Sequence, residues 1–477
     1  MALSKIPTSV YLIFLVLGLL IGTVVVWLQS GQPLQEPARH IVLVVMDTVR
    51  ADRLSLYGYS RETTPFLKEL ASESMVFRRA KATAPWTVPS HASMFTGLWP
   101  SEHRAQWGRM VLDESHLTLA EVLHAEGFST VGLSSNDFIT EANGFGQGFE
   151  DFRRIRGDQK IRTKRILADL PEILDELVQR DKRFFLFVNL MDAHIPFNAA
   201  KYAFKFGLKA TRDATGDHDT KWKINAGQLA YEAGLREQQN AAYAAAIRYL
   251  DDAIRSIVGM LTERHLLDDT VLIITSDHGE GLGDHPELGH SISTWEEQLA
   301  IPLLVRFPGG QGGGQVLSSM TSLIALAPTV LDWLDVHRPA NWIERPDFLG
   351  TSRSGISADY RSYFSEVTRR KNTGMAKRYP ELASRVQHTH VLYCDPFKFS
   401  VNASGKVRFY DLNRDPKEKE DLASDSILEL EVCDSTYRAL LASGRYTPFE
   451  ERESDKERER SHEAFDDEAL RALGYIQ

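Results

Sequence analysis

The chain has 477 residues, 43% of them hydrophobic and 25% charged, with a formal net charge of −10. That composition can bury a large core, as one big domain with a smaller one appended, and the acidic balance argues against nucleic acid as a partner. Two widely separated cysteines, Cys394 and Cys433, neither require nor exclude a disulfide, so they leave the redox compartment open.

Residues 1–9 precede an apolar stretch, Val10 to Leu28, of nineteen residues without a charge, close to the roughly 20 that span a bilayer. The following QSGQPLQEPARH has no small-residue cleavage site and no lipobox cysteine, which predicts an uncleaved anchor over a removed signal peptide. Lys5 and the amino terminus give a positive-inside bias, placing residues 1–9 in the cytoplasm and the rest of the chain outside, at the cell membrane in a single pass. Residues 29–39 read as a short linker containing Pro and Gln.

His40 to Met46 is a continuous apolar run, the pattern of a fully buried parallel strand, and it ends in Asp47-Thr48-Val49-Arg50-Ala51-Asp52. Pro85 to Gly97 reads as a strand end, a tight turn and a short helix, with Pro89 tolerated in the first turn and Gly97 able to end it. The unpaired amides at that helix start favour a phosphate or sulfate nearby, and Thr87 presents a hydroxyl to them. Ser and Thr are also the ordinary helix caps, so Thr87 or Ser90 could serve in that role alone.

Leu117 to Glu126 predicts a helix before the strand Ser129 to Ser134, and Asp158 to Gln179 a helix before the strand Phe184 to Leu190. His194 follows that strand within Met191-Asp192-Ala193-His194. Ala199 to Glu237 carries Tyr202, Phe204, Phe206 and Trp222 among several lysines, a composition compatible with a loop over a pocket that contacts a lipid or glycan. Gln238 to Glu263 predicts a long amphipathic helix leading to the strand Thr270 to Ser276, which ends in Asp277-His278-Gly279-Glu280. Ser322 to Leu334 is a further predicted helix, and Phe397 to Ser400 and Val407 to Leu412 are short strands. The alternation gives a layered α/β/α sheet. Residues 450–470 form a mixed-charge run read as a solvated helix or tail.

Ligands in open α/β sheets bind beyond the carboxyl ends of the strands, where Asp47 and Asp277 both fall. Asp47, Asp277 and His278 are suited to a divalent cation, which an ionised Thr87 oxygen would complete. Their ligand atoms are expected to lie within about 5 Å of a common point.

The blocks MDTVRADRLSLYGYSRETTPFLKELA, APWTVPSHASMFTG, SNDFITEANGFGQGFEDF, MDAHIPF, TSDHGEGLGDH, IPLLVRFPGG, FYDLNRDPKEKEDLA and LRALGYIQ, in that order, resemble the sulfatase branch of the alkaline phosphatase superfamily from about His40 onward. The resemblance implies an alkaline-phosphatase-like α/β/α sandwich with a large mostly parallel sheet. It places a catalytic domain at 40–354, a small C-terminal α+β region at 355–445 and a charged tail at 446–477. The superfamily includes sulfatases, phosphodiesterases, phosphonate monoester hydrolases, and phosphoethanolamine and phosphoglycerol transferases.

Two positions depart from true sulfatases. Those proteins place Cys or Ser where this chain has Thr87 and convert it to formylglycine. A secondary alcohol would oxidise to a ketone instead. Where sulfatases usually carry Arg, four residues on, this chain has His91. Both changes resemble the threonine-nucleophile transferases and phosphodiesterases. The resemblance therefore implies a metal-dependent hydrolase or transferase acting on phosphate esters or diesters through Thr87. Sulfate-ester hydrolysis is the nearest alternative, and a catalytically silent binding or assembly protein on the same fold is an alternative of another class. Asp47, Thr87, Asp277 and His278 would hold one divalent ion, manganese or zinc before calcium or magnesium. His194, His290, His91 and His285 would surround the non-bridging oxygens, with His290 twelve residues after His278 as in the phosphoethanolamine transferases. Asp192 fits a second metal site poorly, and His116 and His124 read as structural.

Overall fold

The computed structural model describes residues 38–106, 109–208, 216–342, 348, 362–367, 381, 388–425 and 428–442. The predicted anchor Val10 to Leu28 and the tail 446–477 lie outside those residues. Among the described residues no helix is long and apolar enough to cross a membrane.

An eight-stranded sheet forms the centre, from β1 (His40–Met46), β2 (Met75–Lys81), β3 (Ser129–Ser134), β4 (Asp151–Arg154), β5 (Phe184–Leu190) and β6 (Thr270–Thr275). After the two-residue strands β7 (Gly281–Leu282) and β8 (Leu288–Gly289), which pair as a small hairpin of their own, β9 (Ala300–Arg306) and β10 (Val316–Ser322) complete it in the order β10-β2-β9-β6-β1-β5-β3-β4. Only β9 runs against its neighbours β2 and β6; the other sheet pairings are parallel. The three central strands β1, β5 and β6 are buried along their whole length. That explains why they read as unbroken apolar runs, since both faces are covered.

The helices that bear on the site are α1 (Thr87–Thr96), α2 (Leu119–Ala125), α3 (Gln159–Gln179), α4 (His218–Asn225), α5 (Ala233–Glu263) and α6 (Leu326–Trp333). Val42, Val44 and Met46 on one face of β1 share a core with Leu170 and Leu174 of α3 and Ile247, Leu250 and Ile254 of α5. On β5, Phe187 and Phe185 point to the opposite face. There Phe187 meets Phe95 of α1 at 5.0 Å between ring centroids and Phe185 meets Phe149 at 5.6 Å. The period-two alternation of the strands thus sorts side chains into two helical layers.

The strands predicted at His40, Ser129 and Phe184 have the expected bounds, and the helix predicted over Leu117 to Glu126 is α2, capped by Thr118 with Glu121 returning the bond. Two expectations shift. Helix α5 begins at Ala233 instead of Gln238, and Ser322 ends β10, so α6 starts only at Leu326. Beyond residue 355 a four-stranded antiparallel sheet, β11 (Ser362–Val367), β12 (Thr389–Cys394), β13 (Phe397–Asn402) and β14 (Val407–Asp411), packs through Phe399 and Phe409 on α7 (Leu428–Ala442).

Candidate active site

Strand register builds the site. Val45 of β1 lies opposite Thr275 of β6, so two residues further on Asp47 and Asp277 leave the sheet side by side. The turn after β1 places Thr48 in the left-handed region at φ 62°, a conformation that a β-branched residue adopts only under constraint. The constraint is Tyr243 of α5, whose hydroxyl donates to Thr48 O at 2.6 Å and accepts from Arg50 N at 2.9 Å. So held, Thr48 N donates to Asp277 Oδ1 at 3.1 Å, joined there by His278 N at 2.9 Å. Asp47 is fixed in the same manner: Oδ2 accepts from Asn136 Nδ2 at 2.7 Å and Asn189 Nδ2 at 3.2 Å.

Each aspartate therefore spends one oxygen on orientation and leaves the other bare. Asp47 Oδ1 is buried with no hydrogen-bond partner, and Asp277 Oδ2 faces His278 Nε2 at 3.3 Å and His91 Nδ1 at 3.5 Å without forming a bond. His278 donates from Nδ1 to Gly279 O at 2.8 Å, which leaves Nε2 as a lone pair directed at the carboxylates. One ligand atom from each of Asp47, Asp277 and His278 lies within 4.8 Å of the others. Burial, then the neighbouring Asp277, pushes the Asp47 carboxyl up to about 7, against the bonds from Asn136 and Asn189. Burial likewise pushes Asp277 up to about 7 against its backbone donors, and burial lowers His278 to about 4. Two carboxyls, each with one bare oxygen, and a neutral imidazole turned toward them in one buried space fit a divalent cation, whose charge would offset the burial of both carboxylates.

Thr87 is the first residue of α1, and its Oγ1 stands 3.4 Å from His278 Nε2. It does not cap the helix: the preceding Trp86 occupies that position without a side-chain bond. Ser90 does not cap it either, because its hydroxyl donates to Asp277 O at 2.5 Å and bolts the helix start to the end of β6. Gly97 ends α1 in the left-handed conformation, as expected.

The histidines divide. His278 and His290 ring centroids are 4.6 Å apart and His290 and His194 5.0 Å, so these three form one cluster. His194 pairs Nδ1 with Ile195 O at 2.6 Å and His290 pairs Nδ1 with Glu280 Oε1 at 2.9 Å. Burial lowers both well below the usual imidazole range, with neighbouring cationic groups adding to it. Such a neutral ring with its proton on Nδ1 offers Nε2 as an acceptor, and becomes a donor to an anion only after taking up a proton.

His91 sits elsewhere than expected. It is fully buried beneath Thr87, bonded through Nδ1 to Thr87 O at 3.0 Å and 3.4 Å from Asn189 Nδ2 through Nε2, and burial lowers it to about 3. It supports the turn at Thr87 and the carboxylates from below instead of facing the pocket. His285 is not in the cluster: it stacks on Trp295 at 3.8 Å and bonds Glu297 Oε2 at 2.8 Å and Glu418 O at 3.3 Å. Asp192 accepts from Thr163 Oγ1 and from Asn198 Nδ2, the latter at 2.6 Å, and so braces the loop after β5. His124 is largely exposed, 3.6 Å from Glu150.

Sequence reading missed Asn136, Asn189 and Tyr243, which position the carboxylates. Asn136 was within reach, since it stands two residues beyond the carboxyl end of β3 as Asp277 does beyond β6. Tyr243 lies mid-helix and gives no local signal.

The sulfatase family profile matches residues 39–336. The "Multifunctional alkaline phosphatase superfamily protein PehA" of Trinickia caryophylli is 26% identical over 487 aligned positions, covering 84% of this chain and 94% of that protein. The phosphonate monoester hydrolase of Agrobacterium radiobacter superimposes with a TM-score of 0.69 at 20% identity, covering 86% of this chain and 96% of that one. BT4656, solved in complex with its substrate D-glucosamine-2-N,6-O-disulfate, superimposes with a TM-score of 0.70 at 18% identity, covering 86% and 98%. With the profile spanning more than half of the chain and enclosing Asp47, Thr87, Asp277, His278 and His290, the protein belongs to the sulfatase family of the alkaline phosphatase superfamily.

Proposed function

We propose that the protein hydrolyses phosphate or phosphonate esters with unmodified Thr87 as the nucleophile. The observation that carries this reading is the Thr87 hydroxyl at the head of α1, 3.4 Å from His278 Nε2 and beside the bare oxygens of Asp47 and Asp277. A secondary alcohol there can form a phosphoester, and it lacks the route through a hydrated aldehyde by which formylglycine expels sulfate.

Asp47, Asp277 and His278 would hold the divalent cation, with Thr87 as its neighbour. When bound, such an ion lowers the pKa of a hydroxyl and polarises an ester oxygen. The chain does the rest. The Thr87 hydroxyl releases its proton to solvent and Oγ1 bonds to phosphorus, while the bond from phosphorus to the ester oxygen breaks. The leaving oxygen takes a proton from His194 or His290, which an anionic substrate draws into protonated form. Water then attacks phosphorus and the bond to Oγ1 breaks; one proton of that water restores the threonine hydroxyl and the other returns to the imidazole that gave up its own. Ester and water become acid and alcohol. Transfer would differ only in the second attacking group, an acceptor hydroxyl in place of water.

Sulfate-ester hydrolysis stands as a second reading because of the likeness to BT4656, whose substrate is a sulfated glucosamine. Rates of wild type and Thr87→Ala on p-nitrophenyl phosphate, bis-p-nitrophenyl phosphate, p-nitrophenyl phenylphosphonate and p-nitrophenyl sulfate decide between them. The proposal expects a phosphorus ester to be the best substrate and Thr87→Ala to be inactive on it. Fastest turnover on the sulfate, or full activity of Thr87→Ala, would reject it. We further propose, on the sequence of Val10 to Leu28 alone, that the catalytic domain is held outside the cytoplasm by a membrane anchor.

A further inference from the structure

The chain's two cysteines lie far apart in sequence and on different elements of the C-terminal region, Cys394 as the last residue of β12 and Cys433 within α7. Strand alternation decides where the first one points. Leu392 and Cys394 are two residues apart on β12 and so share a face, and the antiparallel register sets them opposite Phe399 and Phe397 of β13. On that face Leu392, Phe399 and Phe409 form a buried core with Cys433, and Cys394 and Phe397 pack against it.

Helical phase places the second cysteine. Leu430, Cys433, Tyr437, Leu440 and Leu441 recur at the three- and four-residue spacing of one helix face, and all of them belong to the same core. Tyr437 aligns helix and strand: its hydroxyl meets His390 Nδ1 at 2.7 Å, and its ring centroid lies 5.6 Å from that of Phe399. Cys433 is one helical turn from Tyr437, and Cys394 is further along the face of β12 that carries His390 and Leu392. Both thiols therefore line one apolar seam. There they meet, because the Cys394 and Cys433 side chains share a hydrogen bond.

That bond, with burial, holds the Cys394 thiol well above the usual thiol range. A thiol kept protonated is a poor nucleophile and a poor metal ligand, since the thiolate performs both roles. Among the described residues neither cysteine belongs to a cluster of three or more metal ligands. Cys433 is buried, whereas Cys394 is only half-buried, so an oxidant reaches the pair through Cys394.

We propose that Cys394 and Cys433 form an intramolecular disulfide. The two thiols release two protons and pass two electrons to a disulfide oxidant, whose own S–S bond is reduced to two thiols as the new S–S bond forms. The crosslink closes the stretch of chain that contains Lys398 and Glu418. These residues grip the segment after His290, Lys398 Nζ donating to Thr294 O at 2.6 Å and Glu418 Oε2 accepting from Glu296 N at 2.6 Å. The disulfide fastens that grip to α7. The proposal depends neither on the identity of the nucleophile nor on the membrane anchor.

Glutathione disulfide is the probe. Full-length protein, reduced and then freed of reductant, is held with an excess of it at about pH 8.5, the ordinary thiol pKa, until its composition no longer changes. Remaining thiols are alkylated, and peptides made without reductant are weighed by mass spectrometry. Most molecules should yield the Cys394 and Cys433 peptides joined, lighter than their sum by two hydrogens. The oxidised protein should melt about 5 °C above the reduced one, because the crosslink restricts the unfolded chain. Alkyl groups on both cysteines, a glutathione on each, or a bond between two copies of the chain would overturn the proposal. So would a crosslink that lowers the melting temperature, since it would be foreign to the native packing. Cys394→Ser, at the half-buried position, should abolish the difference in melting between oxidised and reduced protein, and a difference that persists in this variant would also overturn the proposal.

Discussion

Replacing Asn136 by Ala probes whether the carboxylate pair is a cation site, without touching a proposed ligand. Asn136 Nδ2 donates the shorter of the two bonds that Asp47 Oδ2 accepts, 2.7 Å against 3.2 Å from Asn189, and the acceptor is fully buried. A hydrogen bond to a charged group contributes about 1.5–3 kcal/mol, and outer partners of metal-ligating carboxylates are worth roughly 10- to 100-fold in affinity. The two estimates agree, since about 1.4 kcal/mol corresponds to tenfold. Asn136→Ala should therefore weaken manganese binding by one to two decades, measured by titration calorimetry on chelator-treated protein. The Asn136 side chain also accepts from Phe138 N at 2.8 Å, so near-ultraviolet circular dichroism must show that the turn after β3 survives. A wild type that binds one ion tightly and an Asn136→Ala variant that binds it equally well would refute the reasoning that Asp47 is oriented for a metal.

Arg50 is buried, and its guanidinium ties the turn after β1 to the loop after Asp277 through Glu280 O at 3.1 Å and Asp284 Oδ2 at 2.6 Å. Asp284→Asn should cost roughly 2–4 kcal/mol of stability in urea unfolding, because the buried guanidinium then keeps as its charged partner only exposed Asp52, which it meets through two bonds, besides the carbonyl of Glu280. Burial would raise the Asp284 carboxyl, but Arg50 and Arg53 more than offset it and hold the group below the ordinary carboxylate range. A depressed folded-state pKa stabilises above the unfolded value of about 3.9 and loses that contribution as pH falls towards the folded value. The stability gap between wild type and Asp284→Asn should thus be constant near neutrality and narrow below about pH 4; a gap that widens in acid would contradict the pairing. If Val10 to Leu28 is an uncleaved anchor, the full-length protein should stay with membranes after carbonate washing, and recovery of a mature chain lacking those residues would show a cleaved signal instead.

Much of this site was legible because parallel strands buried on both faces leave long apolar runs, and the residue that follows each run is confined to one edge of the sheet. Asp47 and Asp277 follow that rule directly, and the strand order β6-β1-β5 then brings His194 to the same edge. His91 was misplaced because helical phase, not strand position, decides where it points: four residues beyond Thr87 it lies under the same face of α1, towards the protein interior. His285 was misplaced because a loop histidine carries no periodicity, and the aromatic and acidic partners that claim it, Trp295 and Glu297, lie on the far side of β8 in the chain. Lys221 was hidden among surface-like lysines of an unassigned segment, yet it is fully buried on α4.

The central claim is that an unmodified threonine attacks phosphorus. Acid quenching of the wild-type protein during turnover of p-nitrophenyl phenylphosphonate, followed by peptide mass spectrometry of the segment around Pro85 to Gly97, tests it without ambiguity between phosphate and sulfate. The account predicts ordinary threonine at position 87 in the resting protein and a phenylphosphonyl group on that residue during turnover, absent from Thr87→Ala. An oxidised residue at position 87, or a phenylphosphonyl adduct on another side chain during turnover, would contradict it.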